Sequence, residues 1–228
     1  MEAKNLRARA RANLQGQWGL SIGVALVAGL FGALLTSGGG SINIELDERT
    51  LQRLPETLQL LFSAYLSVAG VLSLAGFIVG GTVQLGYCSF LLKQHDGITP
   101  EFGDLFSKFD QFGQGFAQAF LRGLYVFLWS LLFIIPGIVK SFSYAMTPFI
   151  MADNPNLTAS EAINLSKKMM DGHKLDLFWL DLTFIGWCLL CALTLNIGSL
   201  FLNPYMNAAH AAFYRQVKAL NPSLSDSF

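Results

Sequence analysis

Long apolar runs alternate with short charged segments along this chain, and each polar segment carries a helical period of its own. Residues 18–37 form the first run, about 20 residues, enough at 1.5 Å each to span a hydrocarbon core of roughly 30 Å. Leu58 to Leu92 contains no charge across 35 residues, roughly 52 Å of helix, and so predicts one long, bent span over 58–92. The third run, Phe116 to Ala152, exceeds one ordinary crossing and holds Pro136 and Gly137 near its middle, a pair that punctuates turns. A hairpin turn there gives spans at 116–135 and 137–152, the second of them short. A re-entrant loop over the same residues is the competing geometry. Runs at 175–194 and 197–215 complete an all-α polytopic membrane protein: six transmembrane helices as three hairpins, in one domain over 1–228.

The polar segments set the orientation. Residues 1–17 carry Lys4, Arg7, Arg9 and Arg11, while Leu6, Ala10, Leu14 and Trp18 recur every fourth residue. This leader predicts a short helix on anionic inner-leaflet lipids, or a topology signal with no further role. In 99–112, Thr99 is placed to cap and Pro100 to open an amphipathic interfacial helix with Phe102, Leu105, Phe106, Phe109 and Phe112 on one face. A second cytoplasmic helix is expected over 158–171, with Thr158 and Glu161 as a capping box and Gly172 as its stop. It brings Lys167 and Lys168, followed by Lys174. Reversal at Pro136-Gly137 puts these lysines on the side of the N-terminal arginines, as the positive-inside rule asks. Both termini are then cytoplasmic, the protein sits in the cytoplasmic membrane, and the acidic segment 37–57 faces outward.

Composition agrees with a chain solvated by lipid: 53% of residues are apolar and 13% charged, about half the charged fraction of a soluble domain. With 15 basic and 15 acidic residues there is no nucleic-acid footprint. Cys88, Cys188 and Cys191 all lie in apolar runs, which excludes a disulfide framework and a four-cysteine zinc set. The C-x-x-C spacing of Cys188 and Cys191 reads as packing. No phosphate loop, nucleophile elbow or dinucleotide fingerprint occurs, so the sequence implies no cofactor, metal or catalytic residue.

Candidate chemistry lies inside the runs. Arg122 and Asp181 each stand about six residues into spans entering from one side, roughly 9 Å deep. Equal depth permits an intramembrane charge pair, with snorkelling to the interface as the alternative. Ser143, Tyr144 and Thr147 in one returning span, and Asn203, Tyr205 and Asn207 in another, predict a polar cavity for a lipid headgroup or small solute, or else interhelical packing contacts.

The stretches "LRARARANLQGQWG", "FLWSLLFIIPGIVKSFSYAMTPFIMADNP", "LTASEAINLSKKMMDGHK" and "DLTFIGW" together resemble the bacterial membrane family known as domain of unknown function 975. "IIPGI" has a weaker, local resemblance to the membrane domain of glycerophosphodiester phosphodiesterases. The family resemblance implies a six-helix integral membrane protein and supplies neither an activity nor functional residues. The reading that fits these features is a non-enzymatic protein that binds or moves lipids or small amphiphiles. An accessory or scaffold subunit working with a membrane protein partner, and a membrane-embedded enzyme, are the alternatives.

Overall fold

The computed structural model describes residues 3–36, 55–193 and 198–221, and every regular element in them is a helix. The acidic segment 37–54 and the junction 194–197 lie outside the described residues. In chain order the elements are α1 (Ala3–Leu14), α2 (Trp18–Thr36), α3 (Glu56–His95), two 3-10 turns (Phe102–Phe106 and Phe109–Gln111), α4 (Phe112–Leu132), α5 (Ile134–Ser143), α6 (Thr147–Asp153), α7 (Ala159–Met169), α8 (Lys174–Leu182), α9 (Ile185–Leu193) and α10 (Ser199–Leu220). Among the described residues two stretches, Phe102–Leu132 and Ile134–Asp153, are long and apolar enough to cross a membrane.

α3 is the centre of the fold: it packs against α2, α4, α6, α10 and the first 3-10 turn. Its uncharged face lets α4 approach closely where small residues meet. A Cβ added at Gly81 would lie 2.3 Å from the Gly115 carbonyl oxygen and 2.9 Å from the Ala119 Cβ. Small residues at such a crossing bring helix backbones together, which is the main source of packing where lipid removes the hydrophobic drive between helices. Five residues further along α3, Gly86 holds the 3-10 turn against it, for a Cβ there would meet the Leu105 carbonyl. Gln94, buried near the end of α3, donates to Ser21 Oγ at 2.9 Å and to Gln17 Oε1 at 3.1 Å, fixing α2 alongside.

Three local expectations change. The leader does form a helix with Leu6, Ala10 and Leu14 on one face, but that face is buried in protein. α1 lies along α10, whose buried Ala208, Ala209, Ala211 and Ala212 leave room for it. Over 99–112 the expected helix does not form, and the only α-helical residue is Phe112, where α4 begins. Asp104 Oδ2 accepts from the Glu101 N–H at 2.9 Å, and the Ser107 hydroxyl donates to the Asp104 carbonyl at 2.7 Å. These local bonds compete with the helical ladder and tighten the segment into 3-10 turns. Thr99 is not its cap. Leu105 is buried, while Phe102, Phe106 and Phe109 stay exposed.

The third change concerns the opening of α5. Reversal takes place at Phe133, which is extended (φ −158, ψ 143), and Pro136 and Gly137 already belong to the first turns of the returning helix. A proline fits there because the first N–H groups of a helix have no partner and its fixed φ is helical. Gly137 serves close approach instead of a turn: its Cβ would lie 2.2 Å from Ser130 Oγ and 2.8 Å from Ser130 Cα. The run 137–152 is also not one helix. It is interrupted after Ser143 and resumes at Thr147 with Pro148 in the first turn of α6. Likewise 175–194 divides into α8 and α9 around Thr183, whose hydroxyl donates to the Leu180 carbonyl at 2.7 Å.

α7 starts from Thr158. The Thr158 hydroxyl accepts from the Glu161 N–H at 3.4 Å, and the Glu161 carboxylate accepts from the Thr158 N–H at 2.9 Å. The Thr158 hydroxyl also donates to the Glu161 carboxylate at 2.7 Å; this bond and the one from the Thr158 N–H hold the carboxyl below its usual range, and the box as a whole satisfies two otherwise unpaired N–H groups. Gly172, at φ +79, closes the segment after α7.

Candidate functional site

The ends of α3, α6 and α10 are joined by charge. Asp153, at the end of α6, accepts from three side chains of α10: Arg215 Nη1 at 3.0 Å, Lys218 Nζ at 2.5 Å and the Tyr214 hydroxyl at 3.0 Å. Arg215 also pairs with both carboxylate oxygens of Asp96, just past α3. Burial opposes the ionisation of Asp153. The Lys218 hydrogen bond, the charges of Arg215 and Lys218 and the Tyr214 hydrogen bond outweigh it and hold the carboxyl below its usual range. Lys93 and Asp104, 2.5 Å apart, add a second tie at this end between α3 and the 3-10 turn. One pole of the molecule is therefore polar and cross-linked. The opposite region, around the α4–α5 reversal, exposes Leu131, Phe133, Ile134 and Ile135 by 69–76%.

Between these regions lies a cavity of about 630 Å³ walled by α3, α4, α5, α6 and α10. α3 contributes Gln84, Tyr87, Cys88 and Leu91, and α4 contributes Ala119, Arg122, Gly123, Val126 and Phe127. Both sets step by three and four residues, the spacing that keeps side chains on one helix face. Ser141, Pro148, Phe149, Asn207 and His210 close the other sides. Gln84, Tyr87, Arg122, Ser141, Asn207 and His210 set polar groups among apolar walls, a combination that suits a small-molecule site.

Arg122 is the distinctive member. Its Nη2 donates to the neutral Gln84 Oε1 at 3.2 Å, and among the described residues it has no acidic partner. A guanidinium carries five donors, so most of its bonding capacity is unspent. The buried Tyr87 hydroxyl lacks a hydrogen-bond partner of normal geometry, although the Asn207 amide stands beside it. Asn207 Nδ2 is engaged, donating to the Asn203 carbonyl at 2.8 Å.

Arg122 and Asp181 do not pair. Asp181 Oδ1 lies 2.6 Å from His210 Nε2, a contact that fixes the imidazole at the cavity wall. Equal depth along two helices did not bring the charges together because α8 packs on α5 and α1 and turns Asp181 to His210 of α10, while Arg122 meets Gln84 of α3. The expected polar cavity is not one space either. Of Ser143, Tyr144, Thr147, Asn203, Tyr205 and Asn207, Asn207 alone is among the residues lining it. The Ser143 hydroxyl bonds back to the Val139 carbonyl at 2.9 Å, which satisfies it on its own helix. Tyr144 packs near the Tyr125 ring, 6.1 Å between centroids, and Thr147 is fully buried at the bend. Asn203 is exposed, and Tyr205 faces α1, where its hydroxyl donates to the Arg7 carbonyl at 3.3 Å. Gln84, Tyr87 and His210 were not expected here. The three-and-four spacing of Gln84, Tyr87 and Cys88 was the signal in the sequence that could have found the α3 wall.

Residues 131–221 match the family described as Protein of unknown function (DUF975). The match runs from the end of α4 through α10, so it includes Asp181, Asn207 and His210 and stops short of Arg122 and the α3 wall. No curated protein and no solved structure matches the chain.

Proposed function

We propose that this chain is a polytopic membrane protein that holds an anionic amphiphile in the cavity around Arg122, with its hydrocarbon against Leu91, Val126, Phe127 and Phe149. The observation that carries this reading is a guanidinium without an acidic partner among the described residues, set in a mainly apolar cavity beside Gln84, Tyr87 and Asn207. An uncompensated charge at membrane depth is costly, and an anionic headgroup would supply the missing acceptors. The heavily exposed apolar surface around Leu131–Ile135 supports lipid as the surrounding solvent, since soluble proteins rarely leave such contiguous patches bare. Six crossings with both termini on the cytoplasmic side remain the topology of this reading, with the ionic pole of Asp96, Asp153, Arg215 and Lys218 in the inner interface.

Purified protein titrated with dodecyl phosphate and, separately, with dodecyltrimethylammonium tests the proposal by native mass spectrometry. Binding of the anion alone is expected, with affinity falling about tenfold or more in Arg122→Gln, the equivalent of one lost charge-assisted hydrogen bond of roughly 1.5–3 kcal/mol. Equal binding of both amphiphiles, or undiminished anion binding by a folded Arg122→Gln protein, would refute it.

A further inference from the structure

A second feature, separate from the Arg122 cavity, lies where α1, α2, α9 and α10 converge. A groove of about 370 Å³ is lined by Trp18, Trp187, Leu190, Phe201, Leu202 and Tyr205, together with one charged side chain, Arg11. Its walls are almost wholly apolar, and its charge lies at α1. Arg11 reaches over the Tyr205 ring, 5.9 Å from the centroid, and Arg7 over Phe184 at 5.7 Å. Arg7 Nε also donates to the Tyr205 hydroxyl at 3.4 Å. Among the described residues neither arginine has an acidic partner.

The α1–α10 packing accounts for this arrangement. Burial of Leu6, Ala10 and Leu14 forces the residues one position away, Arg7 and Arg11, to the edge of that contact, since positions four apart share a helix face. Held there by aromatic rings, the two cations keep donors free above an apolar slot. Two tryptophans line that slot, a side chain that is at home where hydrocarbon meets headgroups.

We infer that this groove seats one anionic phospholipid of the bilayer, an acyl chain between Trp18, Trp187 and Phe201 and the phosphate at Arg11 and Arg7. Charge complementarity chooses the occupant: a neutral chain would leave both arginines without acceptors, and a free anion would leave the apolar slot unfilled. The leader thus recognises lipid from within the fold, using the same residues that would otherwise form a simple basic topology signal.

The test uses the full chain with Trp129→Phe and Trp179→Phe, which leaves Trp18 and Trp187, the two tryptophans of the groove, as the only ones of its four. Fluorescence quenching is compared in phosphatidylcholine vesicles containing brominated phosphatidylglycerol or brominated phosphatidylcholine. About 1 kcal/mol per basic residue near a lipid phosphate, for two arginines, predicts half-quenching at roughly thirtyfold lower mole fraction of the anionic lipid. Arg11→Gln should cut that preference about fivefold, whereas Arg11→Lys and Arg122→Gln should keep it. Gly198 also lines the groove, and Gly198→Leu, which adds a bulky side chain there, should reduce quenching by both lipids even if Arg11→Gln fails to fold. Equal quenching by the two lipids in the parent protein would overturn the inference, as would an undiminished preference in folded Arg11→Gln or full quenching in Gly198→Leu. Since Arg122→Gln leaves this site intact, failure here and failure of the Arg122 site give different results.

Discussion

Gly81→Ala offers a sharp test of the α3–α4 crossing. The added Cβ would stand 2.3 Å from a backbone carbonyl oxygen and 2.9 Å from the Ala119 Cβ. Neither contact can be relieved by turning a flexible side chain, so the helices must move apart. Overpacking of this kind costs about 1–3 kcal/mol, and the rigidity of the contact argues for the upper end. Alanine recovers about 1 kcal/mol through its better helix propensity. The net loss is about 2 kcal/mol, a shift of about thirtyfold in the unfolding equilibrium. Gly186→Ala is the matched control, because a Cβ there meets nothing within 4 Å, and the propensity gain should appear alone. Both variants would be unfolded reversibly in mixed micelles and followed by circular dichroism. If Gly81→Ala proves as stable as Gly186→Ala, the helices do not cross at Gly81 and the geometry of the cavity wall is wrong.

Three further outcomes are expected. Asp153→Asn should lower stability by about 2 kcal/mol, as a charge-assisted contact to Lys218 and Arg215 is lost. In the parent protein the Asp153 carboxyl titrates below its usual 3.8, so its contribution is complete at neutral pH and fades as acid titration passes beneath that value; a midpoint independent of pH between 5 and 2 in parent and variant alike would contradict this. Gln118 is fully buried with both amide atoms unpaired, and Gln118→Met should raise stability by about 1 kcal/mol because burial of those groups is no longer penalised. A loss of stability instead would mean the amide holds a partner. For topology, a lone cysteine placed at Lys168 in otherwise cysteine-free protein should react with an impermeant maleimide only after cells are opened, and labelling of intact cells would place α7 outside.

Local chemistry made the helical class legible. Uncharged runs and the helical period specify helices over a few turns, and the Thr158–Glu161 box needs only four adjacent residues to declare where α7 begins. The same local signals were misread where two of them competed. Pro136-Gly137 carries turn chemistry, yet proline equally opens a helix and glycine equally permits close contact, and Ser130 decides between these uses. Thr99 and Pro100 looked like a helix start until Asp104 took up the neighbouring N–H and Lys93.

What the tertiary structure alone decided are the partners. Arg122 meets Gln84 across 38 positions, Asp181 meets His210 across 29, and Arg215 meets Asp96 across 119. Depth along a helix is written in residue number, but azimuth around the bundle is not. It follows from how closely Gly81, Gly115 and the alanines of α10 let helices approach, and from which side each break at Phe133, Ser143 and Thr183 turns the chain. The arginines of α1 show the division well: their number and spacing are properties of the sequence, while the apolar groove beneath them exists because α1 is buried on α10.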